Sequence, residues 1–61
     1  MAWTAAELDT LLAGVRSRGE VKRLGSRVDR EPALRAALEV RAEARGLSVS
    51  GPGKRLVRVL L

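Results

Sequence analysis

Seven carboxylates and twelve Lys and Arg side chains are the groups in this 61-residue chain that could do chemistry. It contains no His and no Cys. That removes the commonest acid/base group, the usual zinc ligands, thiolate nucleophiles and disulfides. The carboxylates are Glu7, Asp9, Glu20, Asp29, Glu31, Glu39 and Glu43. Glu7, Asp29 and Glu31 lie where helix starts favour negative charge. Glu39 and Glu43 are four residues apart, on one solvated helix face, and two ligands do not make a metal site. Paired-carboxylate catalysis needs a pocket, which a chain of this length does not readily enclose. No catalytic constellation and no cofactor is therefore expected. Gly51-Pro52-Gly53-Lys54 has the outline of a phosphate loop. It lacks the Ser or Thr after the Lys, and no helix is expected to follow it.

The cations offer more. Arg16, Arg18, Lys22, Arg23 and Arg27, with Arg30 beyond them, crowd one stretch opposed only by Glu20 and Asp29. They could touch phosphates or a neighbouring subunit, which would be independent of sequence and sensitive to salt. A solvated charged surface is the other reading, and the sequence leaves both open. No aromatic residue interleaves the cluster, which disfavours base stacking on single strands. The formal net charge of +5 points to an acidic neighbour, nucleic acid or an acidic protein face, or else reflects only the Arg-, Ala-, Leu- and Val-rich usage of a GC-rich genome.

The elements that must hold these residues are few. Thr4-Ala5-Ala6-Glu7 is a capping box, with Trp3 just before it and Leu8 at the fourth helical position as a hydrophobic staple. Leu8, Leu11, Leu12 and Val15 make one helical stripe, and Gly19 is expected to end this helix. A second helix is predicted from about Arg30 to Arg45, with Asp29 as its N-cap and Pro32 in its first turn. Ala33, Leu34, Ala37, Leu38, Val40 and Ala44 would form its apolar face, and Gly46 its left-handed cap. Residues 20–28 are ambiguous. Gly25-Ser26 suits a hairpin turn, whereas Val21, Leu24 and Val28 are spaced as on a helix. A short hairpin is the preferred reading.

After Gly51-Pro52-Gly53, the end of the chain packs Lys54, Arg55, Leu56, Val57, Arg58, Val59, Leu60 and Leu61 together. A Val- and Leu-rich run with both faces largely apolar reads as a strand buried on a partner by β-augmentation. Pairing with the chain's own hairpin is the alternative. The expected organisation is a small α+β helix–hairpin–helix core over residues 1–47 and an extended docking tail over 48–61. No signal peptide and no membrane-length apolar run is evident.

In order, size and composition the chain resembles the head-completion (head–tail joining) proteins of tailed bacteriophages, the protein W family. The carrying segments are "WTAAELDTLLAGV", the basic "VKRLGSRV", the alanine-rich "PALRAALEVRAEARG" and the tail "SVSGPGKRLVRVLL". The resemblance spans essentially the full length, without the aromatics that relatives often carry at the hairpin. It implies a non-enzymatic structural protein of the virion neck, assembled in the host cytoplasm. Its partners would be the portal protein, neighbouring copies in a ring, a downstream neck or tail protein and packaged DNA. The rival reading is a small basic nucleic-acid-binding protein of helix-turn-helix type, which requires residues 20–28 to be helical. An antitoxin-like peptide that folds on binding is a third.

Overall fold

In the computed structural model, which describes residues 2–61, four helices follow one another with short joints. The capping box opens α1 (Ala5–Ala13): the Glu7 N–H donates to the Thr4 hydroxyl at 3.1 Å, and the Thr4 N–H donates to Glu7 Oε1 at 2.9 Å. Gly14, not Gly19, caps its far end. Ser17 then caps α2 (Arg18–Arg30) by accepting from the Glu20 N–H at 3.2 Å, so Gly19 falls inside the first turn of a new helix. Glu31 alone, in an extended conformation, separates α2 from α3 (Pro32–Ala44). Pro32 takes the first helical position, where its missing N–H costs nothing. At the end of α3, Gly46 has φ +74°, Gly46 N–H donates to Glu43 O and Leu47 N–H to Ala42 O, a Schellman closure. Helix α4 (Gly53–Leu60) completes the chain.

The α+β expectation is corrected in both of its parts. Residues 20–28 lie within α2 and form no hairpin, because Val21, Leu24 and Val28 share the face that packs inward. Gly25 sits mid-helix as a point of close approach and not as a turn. The tail is neither extended nor a strand over residues 53–60. Gly53, Leu56, Val57 and Leu60, at i, i+3, i+4 and i+7, line the buried face of α4. A helix satisfies its own backbone hydrogen bonds, whereas a lone strand needs a partner to do so. Among the described residues there is no strand.

Ten side chains make the core: Leu8, Leu12, Leu24, Val28, Leu34, Leu38, Ala42, Leu56, Val57 and Leu60. Three of them come from α4, so residues 48–61 do not form a unit separate from residues 1–47. The radius of gyration is 10.4 Å, the value expected of a fully compact chain of this length. The face expected of α3 is narrower than its apolar residues suggest. Leu34, Leu38 and Ala42 are buried, whereas Ala33, Ala44 and Val40, the last 65% exposed, face outward. No helix among the described residues is long and apolar enough to cross a membrane.

Candidate functional site

Helices α2 and α4 run antiparallel and touch backbone to backbone. Asp29, at the end of α2, accepts from the Gly53 N–H at 2.9 Å. Gly25, one turn earlier, lies against Lys54, and Val21 and Arg18 share a shallow depression with Arg58. Only glycines permit this approach. A Cβ on Gly25 would stand 2.5 Å from the Lys54 backbone nitrogen, and one on Gly53 2.9 Å from Val28 Cβ.

The seam collects cations from both ends of the sequence. Arg18 and Lys22 are one turn apart on α2, as are Lys54 and Arg58 on α4, and all four are exposed. Four residues span about 6 Å along a helix axis. None of the four has a carboxylate within ion-pair distance among the described residues. Most of the carboxylates have other partners, Asp29 among them although it stands at one end of the seam. Asp9 pairs with Arg41, Glu31 with Arg27, and Asp29 and Glu39 with Arg35 at 3.4 and 3.5 Å. Glu7 and Glu20 are held at helix starts by Thr4 and Ser17. Glu43 is exposed on α3. The Thr4 backbone N–H, and after it the Thr4 hydroxyl, hold the Glu7 carboxyl below its ordinary pKa, against slight desolvation.

The expected contact residues therefore divide. Arg18 and Lys22 lie on the seam, Arg23 and Arg27 line the opposite side of α2, and Arg16 is in the loop before it. Arg27 stacks over the Trp3 ring, 5.3 Å from its centroid, so the lone aromatic packs against α2 as well as the core. Of the expected docking residues, Leu56, Val57 and Leu60 are buried within this chain. Lys54, Arg55, Arg58, Val59 and Leu61 are exposed. A helix does follow Gly51-Pro52-Gly53-Lys54, yet the slot a phosphate would use is filled, since the first N–H of α4 donates to Asp29.

Two roles were not visible in the chain. Asp29 caps α4 across the fold rather than starting α3, and Arg35 clasps the same junction, donating to Gly51 O at 2.6 Å and to Asp29 at 3.4 Å. The spacing of Gly53 with Leu56, Val57 and Leu60 was the signal that could have placed α4. A scan against protein-family models finds no match, and searches of curated proteins and of solved structures find none either.

Proposed function

We propose that the protein binds nucleic acid along its phosphate backbone through Arg18, Lys22, Lys54 and Arg58. The observation that carries this reading is the seam itself: four exposed cations on two antiparallel helices, none of them ion-paired among the described residues, with the one carboxylate at its end, Asp29, held by the Gly53 N–H and Arg35. A strip of unpaired cations releases counterions when it meets phosphates, which favours double strands for their charge density. Base readout has little to work with. The chain has no Asn or Gln, the usual partners of adenine, and no aromatic residue stands on the seam to stack a base. Arg18 and Arg58 could pair with guanine edges, but this reading assigns all four cations to phosphates, and the binding is then independent of sequence.

The connector role implied by the phage resemblance drew on a hairpin and a free docking strand. Both segments are helices, and half of the tail's six aliphatic side chains are inside this chain's core. The portal, a ring of copies and a downstream neck protein are partners only under that second reading, and a contact with packaged DNA would use the same four cations.

Fluorescence anisotropy with two short duplexes of unrelated sequence tests the proposal. Both should bind equally. Four phosphate contacts give a slope of about −3.6 in log K against log salt, hence a loss of about 150-fold between 50 and 200 mM. Lys22→Glu with Lys54→Glu should abolish binding, while Arg16→Glu with Arg30→Glu, the same change of charge off the seam, should weaken it far less. Equal losses for the two double variants, or none for the first, would refute the seam as the binding face.

A further inference from the structure

An open groove runs between α1 and α2, on the side of α2 away from α4. Leu11, Val15 and Leu24 form its apolar floor, and Trp3 stands at the end near Arg27. Its α2 edge carries Arg23, Arg27 and Arg30, at i, i+4 and i+7. Arg27 is engaged by Glu31 and Trp3, but Arg23 and Arg30 have no carboxylate partner among the described residues. The two carboxylates that reach the groove are already held: Glu7 accepts from the Thr4 N–H and Glu20 from the Ser17 hydroxyl. Both keep their charge, Glu7 on the α1 side and Glu20 in the first turn of α2, so the groove has an apolar floor and an α2 edge made positive by Arg23 and Arg30 beyond Glu20.

We propose that this groove receives an amphipathic helix of a partner protein, apolar on one face and acidic along the flank that meets α2. A helix laid between α1 and α2 would present its i, i+3, i+4 and i+7 anchors to Leu11 and Val15. Glu or Asp on its flank would neutralise Arg23 and Arg30, the complementarity that selects an acidic partner over a basic one. A phosphate backbone would gain nothing from the aliphatic floor, so this site is separate from the cationic seam on the other side of α2 and does not depend on it.

Gly14 provides a way to close the groove without disturbing the fold. It lines the groove with ordinary right-handed backbone, φ −78°. A Cβ there would meet only Leu11 O at 3.6 Å and Thr10 O at 3.8 Å, normal contacts. A longer side chain would project into the space a bound helix needs.

The test uses the intact protein and a fluorescein-labelled synthetic helix of about three turns, with Leu along one face and Glu along one flank. Its counterpart carries Lys in place of every Glu. Anisotropy at about 0.15 M salt, where distant charges are screened, should show the Glu peptide binding at least about tenfold more tightly than the Lys peptide. Trp3 emission should shift on binding. Gly14→Gln, and Arg23→Glu with Arg30→Glu, should each weaken the Glu peptide at least about tenfold. Gly14→Ala, which leaves the groove open, should bind as the parent does, and circular dichroism should show Gly14→Gln as helical as the parent. Lys22→Glu with Lys54→Glu should change little. Equal binding of the two peptides would mean apolar capture without charge selection, and equal losses for seam and groove variants would reduce the effect to bulk attraction to a chain of net charge +5; either would overturn the proposal. So would displacement of the peptide by duplex DNA. Self-association in sedimentation equilibrium that Gly14→Gln abolishes would make the occupant a second copy, which also overturns it.

Discussion

A Cβ built on Gly53 would stand 2.4 Å from the carbonyl oxygen of Gly25, closer than any side-chain carbon tolerates. The antiparallel packing of α2 and α4, and with it the cationic seam, therefore requires glycine at both positions. Ala in mid-helix normally gains about 1 kcal/mol over Gly, but here the backbone must part to admit it. Gly25→Ala and Gly53→Ala should each lower stability by about 1–3 kcal/mol in urea titrations. Gly19→Ala should go the other way by a few tenths to about 1 kcal/mol, since a Cβ there meets only Ser17 Oγ at 3.8 Å.

Truncation after Ser50 should unfold the protein. It removes Leu56, Val57 and Leu60, each at most 4% exposed. Leu56→Ala alone should cost about 2–5 kcal/mol, and Val57→Asp should collapse the helical signal in circular dichroism. A truncated chain that kept its helices would show α4 to be dispensable, contrary to its place in the core.

Asp29→Ala should lower stability by about 1–2 kcal/mol, because it frees the first N–H of α4 and removes one of Arg35's three partners. In a domain of this size that is about 4–8 °C in Tm for each kcal/mol. Asp29→Asn keeps an acceptor for Gly53 and should cost less. Equal Tm for the parent and Asp29→Ala would remove the cap from the account.

Acid should loosen α1 through Glu7. Its carboxyl is held below the ordinary 4.5 by the Thr4 N–H and hydroxyl, so the charged form is the one the fold favours. Its contribution is complete above the unfolded value and disappears as pH falls through the lower folded value. Glu7→Gln should therefore be less stable than the parent near neutrality and equal to it in strong acid. A gap that persists in strong acid would assign the effect to something other than this charge. Thr4→Ala should cost about 1 kcal/mol at neutral pH.

The parts legible in the sequence were those decided locally. The Thr4–Glu7 box, Pro32 at a helix start and Gly46 at a helix end depend on residues within one turn of each other, and all stand where the spacing puts them. Most of the misreadings concern residues whose partners lie on another element. Gly25 beside Ser26 has the local chemistry of a turn, and only Lys54, 29 positions later, explains it as a contact. Asp29 next to Glu31 and Pro32 has the chemistry of an N-cap for α3, yet its carboxylate reaches Gly53. The tail misled through composition, since Val and Leu favour strands when no burying surface is known. For the site, the cations of residues 16–30 were legible as a group, but their division between two faces of α2 was not. Nor was the union of Arg18 and Lys22 with Lys54 and Arg58, which depends on a long-range pairing.

That pairing also sets an order of events during synthesis. Helices α2 and α3, joined by Glu31 alone, are complete by residue 44, with Leu24, Val28, Leu34 and Leu38 already facing inward. The helix that covers them, α4, is made later. At about 5–20 residues per second, roughly 1–3 s separate the end of α3 from the end of α4. Until Gly53 settles against Gly25, those side chains lack the cover that α4 gives them, so α2 and α3 reach their final packing only after the later segment arrives.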